Sequence, residues 1–222
     1  DLKLKGHNVL VTGGTKGIGR AIVEILSDEG CNIALCARNA DDVNAAVEAI
    51  SAKGVKVVGK QLDVGDGDAF KAWIAAAGEE LGGLDAYVSN VSGSNAPGDA
   101  GWQSHFDYNI MSAVHGVEAC MPFFEKSDNP SVVMISTTAA LEHFINAGPY
   151  NAMKAGLLNY SGALAQEIGA KGIRVNAISP GPIFIDGGSW DKIKQGMTAF
   201  YDSTVSQIPL GRMGTAEEVA AQ

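Results

Sequence analysis

Tyr150 and Lys154, in the run PYNAMK, are the residues whose types and spacing most resemble a reaction centre. Four residues apart, they share one face if the segment is helical. A free phenol has a pKa near ~10, too high to exchange a proton at neutral pH. An ammonium beside it favours the phenolate and lowers that value, so the pair makes a general acid–base group. Just upstream, three hydroxyls follow one another at Ser136, Thr137 and Thr138. A hydroxyl donor beside the tyrosine stabilises negative charge growing on a substrate oxygen. Side chains alternate along a strand, so Ser136 and Thr137 point to opposite faces. Ser136 is expected against a helix layer, with Thr138 on its face unless the loop re-aims it.

A second constellation is TGGTKGIG, Thr12 to Gly19. Gly13, Gly14, Gly17 and Gly19, with Thr15, Lys16 and Ile18 among them, lie between an apolar run and an amphipathic one. Glycines let the backbone turn tightly and approach a pyrophosphate, and a helix start supplies N–H donors and partial positive charge. At the end of the next apolar run stands Ala37, where an acid would accept from a ribose 2′-OH. Arg38 follows it. Two cations, Lys16 and Arg38, with no acid, suit a 2′-phosphate, so NADP is the expected cofactor.

These residues need a scaffold, and the hydrophobic periodicity supplies one. Apolar runs at 7–13, 32–37, 55–64, 84–91, 131–137 and 173–179 read as six strands. Between them fall amphipathic segments: 17–30, 41–54, 68–81, a long helix over 102–124, and 149–170. Strands that are apolar throughout, alternating with helices, imply an α/β fold: a doubly wound parallel sheet covered on both faces. Ligands of such sheets bind beyond the carboxyl ends of the strands. The glycine loop, Arg38 and the hydroxyl run all fall there, and so does Asp63, at the end of the third strand. The whole chain, 1–222, reads as a single domain of this kind.

Composition narrows the partners. The 222 residues carry 16 basic and 25 acidic side chains, a net charge of −9, which argues against nucleic acid or an anionic membrane surface. It also disfavours an acidic carrier protein. Three scattered cysteines, Cys31, Cys36 and Cys120, form no metal-like cluster and fit reduced thiols of a cytoplasmic protein. No apolar run reaches membrane-spanning length, and DLKLKGH lacks the marks of a signal peptide.

TGGTKGIG, LDV at 62–64, Asn109 within DYNIMSAVHG, Tyr150 and Lys154 as YxxxK, and SPGPI at 179–183 occur in this order along the chain. Together they resemble the short-chain dehydrogenases/reductases, over essentially the whole length. The resemblance implies a Rossmann-type fold, a nicotinamide cofactor and a catalytic set of Asn109, Thr137, Tyr150 and Lys154. Thr137 takes the place of the family's serine, thirteen residues before the tyrosine. Lys154 would also hold the nicotinamide ribose, and Asn109 a water linking the lysine to solvent. Asp63 and Val64 would lie beside adenine, and Asn90 where the family has NNAG. Pro180, Gly181 and Ile183 would lie under the nicotinamide. The sequence departs from the family at Ser92, in place of a glycine, and at Ile185, in place of a threonine. The chain stops at Gln222, where the family continues into one more strand.

The segment 186–207, with Trp190, Met197, Phe200 and Tyr201, is expected to fold over the substrate as a lid, which hints at an apolar or ring-bearing substrate. His143 and Trp190 would line the substrate pocket with Thr137 and Tyr150. Glu142 and His143 are expected at its mouth rather than in chemistry. The helices 102–124 and 149–170 carry small residues, such as Ala152, Gly156 and Ala163, and the resemblance implies close helix packing between subunits in a homo-oligomer, a dimer or the homotetramer. The sequence therefore predicts an NADP-dependent oxidoreductase interconverting a small-molecule ketone or aldehyde and an alcohol. Two rivals share the fold: a catalytically silent NADP-binding sensor, and a dehydratase or reductase of carbon–carbon double bonds.

Overall fold

The computed structural model describes residues 2–143 and 147–222, so part of the loop before Tyr150 lies outside the described residues. Six strands form one sheet: β1 (Asn8–Thr12), β2 (Asn32–Ala37), β3 (Val57–Gln61), β4 (Ala86–Ser89), β5 (Ser131–Ile135) and β6 (Arg174–Ile178). All pairings are parallel, in the order β3-β2-β1-β4-β5-β6. β1 pairs with both β2 and β4, Val9 lying opposite Ile33 on one side and Ala86 on the other. The chain reverses direction across the sheet there, and that crevice is where such sheets bind ligands.

Helices cover both faces, as the apolar strands demand. α1 (Gly17–Asp28) and α2 (Ala40–Ser51) lie over one face. Ile22, Val23, Val43 and Ile50 pack there on Val9, Val11, Ile33 and Leu35. On the other face α3 (Gly67–Leu81) brings Phe70, Trp73 and Ile74 to a core containing Leu10, Tyr87 and Met134. The chain ends in three further helices, α7 (Ser189–Gly196), α8 (Thr198–Gln207) and α9 (Ala216–Ala220). α9 carries a capping box between Thr215 and Glu218 and packs back on α1.

The expected continuous helix over 102–124 is instead three pieces. α4 (Asp99–His105) starts earlier, a π-helical turn spans Phe106–Met111, and α5 (Ser112–Phe124) completes it. The wider turn sets Asn109 into the interior, 1% exposed, where its amide meets the ring of His105 one turn back. A single π turn inside a helix of this kind often marks a functional position. α6 (Pro149–Ile168) starts with proline at its first position, where a missing N–H costs nothing.

The three thiols are buried. Burial pushes Cys31 up to about 11 and Cys36 to about 12, and raises Cys120 as well, so all three are unreactive at neutral pH.

Candidate active site

The glycine loop leads from the carboxyl end of β1 into α1. Lys16 occupies the helix N-cap without a side-chain bond to the first turn, and no acid sits in that turn. The open N–H groups and the helix dipole therefore face whatever approaches the loop. Gly17 adopts φ +56°, a left-handed conformation that favours glycine. A Cβ on Gly19 would run into Gly13 O and Asn90 Nδ2. Asn90 Nδ2 donates to Thr12 O at 3.0 Å and Asn90 N to Thr12 Oγ1 at 3.0 Å. The end of β4 is thus laced to the end of β1, directly under the loop.

Beyond these strand ends lies a cleft of about 400 Å³. Gly13, Thr15, Lys16, Arg38, Asp63, Val64 and Asn90 line it, together with Ser92 and Tyr108. Its wall combines an uncapped helix start with two cations, which fits the diphosphate and ribose of a nicotinamide dinucleotide. Two side chains are less free than the sequence implies. Lys16 Nζ pairs with Asp42 Oδ2 at 2.6 Å. Asp63 lies two residues past β3. Its Oδ1 accepts from Gly65 N at 3.0 Å, as a turn residue, and its Oδ2 from Tyr108 Oη at 2.8 Å. Arg38 stands over the Tyr108 ring at 5.9 Å.

The Tyr150–Lys154 end of the candidate site is built where β5 meets α6. Lys154 is 3% exposed, and its Nζ donates to Ile135 O at 2.6 Å. Burial pushes its pKa down to about 8. Tyr150 is half-buried one turn earlier, with its ring in edge contact with His105 at 5.7 Å between centroids. Ser136 faces α6, and its Oγ donates to Lys154 O at 3.1 Å. Thr137 continues the extended backbone at φ −166°, then caps a 3-10 turn over Thr138–Ala140. Thr138 N donates to Pro180 O at 2.9 Å, which joins this corner to the loop after β6.

Ile183 bridges to Gly214, Gly181 is exposed, and Ile185 reaches back to Gly17. Ile18 is partly buried in the first turn of α1. Trp190 stacks on Phe200 at 6.0 Å, tying α7 to α8. Lys194 lies over the rings of Phe184 and Tyr201. Neither helix has a buried residue. Glu142 lines a cavity of about 200 Å³ with Pro182, Phe200, Thr204, Gln207 and Ile208, whereas His143 is exposed beside it.

Three residues of this region went unread in the sequence: Asp42, Tyr108 and His105. Asp42 resembled an ordinary acid in the first turn of α2. Tyr108 reaches the cleft from inside the π turn, which no sequence period announces. His105 precedes Asn109 by four residues, a helical spacing that was available to be read.

The short chain dehydrogenase family profile matches residues 7–189. Isoepoxydon dehydrogenase of Penicillium expansum is 35% identical, over 98% of this chain and 86% of its own length. A putative ketoacyl reductase of the monensin polyketide synthase from Streptomyces virginiae is 33% identical, over 95% and 86%. The structure of L-sorbose reductase from Gluconobacter frateurii, complexed with NADPH and L-sorbose, superposes with a TM-score of 0.89. It is 28% identical and matches over 98% of this chain and 88% of its own. The chain belongs to the short-chain dehydrogenase/reductase family of oxidoreductases. No described helix is long and apolar enough to cross a membrane.

Proposed function

We propose that the protein is an NADP(H)-dependent carbonyl reductase or alcohol dehydrogenase acting on a ketone or aldehyde. The observation that carries this reading is the buried ammonium of Lys154, one helical turn from Tyr150, at the strand ends that also hold the glycine loop. The bound cofactor supplies or accepts the hydride at the substrate carbon. In the reducing direction Tyr150 gives its phenolic proton to the carbonyl oxygen as charge develops there. Thr137 donates a hydrogen bond to the same oxygen. Lys154 favours the phenolate left on Tyr150 and binds the nicotinamide ribose. Asn109 holds the water that returns a proton through the lysine.

The 2′-phosphate of NADP is read by Arg38 and Lys16, with Asp42 as the carboxylate that Lys16 must exchange for it. Adenine lies beside Asp63 and Val64. Pro180, Gly181 and Ile183 support the nicotinamide. The exposed pair α7 and α8 serves as the lid, with Trp190 facing substrate. Ala152, Gly156 and Ala163 are small or turned to solvent along α6, a surface that suits a second copy of the chain. Light scattering distinguishes a monomer from that assembly.

The test is a panel of cyclohexanone, L-sorbose, an acetoacetyl thioester and 2-cyclohexenone, each with NADPH and with NADH. The proposal expects NADPH-dependent loss of a carbonyl group. NADPH binding with no turnover across the panel favours the sensor. Reduction of the carbon–carbon double bond alone favours the second rival.

A further inference from the structure

His105 is 1% exposed and touches three things at once. Its Nδ1 lies 2.8 Å from Asn109 Nδ2, its Nε2 2.9 Å from Asn95 Oδ1, and its ring edge meets Tyr150. An amide nitrogen can only donate, so Nδ1 is the acceptor. The proton of the neutral ring then sits on Nε2 and donates to Asn95. Desolvation, and next the charge of Lys154, hold the pKa of His105 below its ordinary value. Asn109 is left with Oδ1, which is buried and has no partner among the described residues.

We propose that His105 is a positioning residue: it fixes the Asn109 amide in one orientation and couples that amide through Asn95 to the loop after β4. The proposal rests on the catalytic reading of Asn109, Tyr150 and Lys154 given above. The same loop begins with Asn90, Val91 and Ser92 on the cofactor cleft. It docks on the last turn of α4. Ser94 N donates to Ser104 Oγ at 2.9 Å, and a Cβ on Gly93 would lie 2.7 Å from His105 backbone atoms. One imidazole thus joins the cofactor-lining loop, the Asn109 amide and the ring of Tyr150. A residue at 105 without a ring acceptor leaves a buried Asn109 nitrogen unpaired, and the amide loses its fixed orientation.

His105→Phe keeps the ring contact with Tyr150 and removes both nitrogens. His105→Asn keeps an acceptor near the Nδ1 position. The fastest carbonyl substrate of the panel is assayed with NADPH, and NADPH affinity is measured separately by fluorescence. The expected result is a kcat loss of about tenfold or more for His105→Phe, with the NADPH Kd within about twofold of the parent. His105→Asn recovers to within about threefold of the parent. His105→Phe combined with Asn109→Ala is no slower than Asn109→Ala alone, because both act through one amide. In the cofactor-free protein, ¹⁵N NMR finds Nδ1 of His105 bare and Nε2 protonated. Near-parental turnover in His105→Phe overturns the proposal, and so do additive losses in the double variant or a bare Nε2. Tyr150→Phe is the control: if it too keeps parental turnover, the catalytic reading itself has failed. Should His105→Phe not bind NADPH, His105→Leu against His105→Asn carries the same comparison.

Discussion

Ser136 Oγ donates to the carbonyl oxygen of Lys154 at 3.1 Å, across the junction of β5 and α6. That hydroxyl proton is spent on a buried backbone acceptor. The next residue is wired the other way. Thr137 Oγ1 accepts from Ala139 N at 3.2 Å, so its own proton remains to be given. Adjacent hydroxyls on one strand end therefore have different chemistry open to them.

This difference predicts a ranking. Thr137→Val keeps the shape and loses the donor, so turnover should fall about 10²-fold or more. Thr137→Ser keeps the donor, loosens χ1 and should stay within about threefold of the parent, with bulkier ketones accepted. Ser136→Ala should cost about 1 kcal/mol of stability and little activity. Thr138→Ala should also do little. Steady-state kinetics on the four variants check the order, and a larger loss in Ser136→Ala or Thr138→Ala would show that the wrong hydroxyl was chosen.

The proposed preference for NADP rests on Arg38 and Lys16, with Asp42 as the carboxylate now paired to Lys16. NADPH is expected to bind at least tenfold tighter than NADH, about 1.4 kcal/mol. Arg38→Ala should bring the two affinities together. Asp42→Asn frees Lys16 from its 2.6 Å pair and should tighten NADPH by a further few-fold. Equal NADPH and NADH affinities in the parent, by fluorescence titration, would contradict the assignment.

Lys154 makes stability depend on pH. Burial lowers its pKa in the folded chain to about 8, against an ordinary 10.5. Between those values the unfolded state binds the extra proton, so the group opposes folding fully below pH 8 and less as pH rises toward 10.5. Lys154→Met removes the penalty but also the bond to Ile135 O. The cofactor-free variant should exceed the parent by about 1–2 kcal/mol at pH 7, with the gap closing toward pH 10.5. Urea titrations at pH 7 and pH 10 measure it. A gap that widens with pH would reverse the sign of the argument.

Much of the scaffold was legible because its signals are local. Short apolar runs at Val9–Val11 and Ile33–Leu35 read as buried strands of a covered sheet, and Gly13, Gly17 and Gly19 mark a turn into a helix. The helix break at Phe106–Met111 was not legible, since Asp107 and Tyr108 continue the helical pattern across it. The turn carries Asn109 to the interior beside His105, and no local period records the change of winding. The same holds for Asp42 and Tyr108. Their residue types suit a helix start and a helix surface, and only the tertiary fold brings them to Lys16 and Asp63. Local patterning fixes elements, whereas pairing between elements far apart in sequence decides which polar side chains are free to act.

The central claim is that Tyr150 supplies the proton for carbonyl reduction. Tyr150→Phe removes one hydroxyl and keeps the ring against His105. The direct measurement is kcat for NADPH-dependent reduction of the best carbonyl substrate, in the parent and in Tyr150→Phe, alongside the NADPH Kd of each. The account predicts a loss of at least about 10²-fold in kcat with Kd nearly unchanged. Turnover in Tyr150→Phe close to that of the parent, with NADPH still bound, would contradict it.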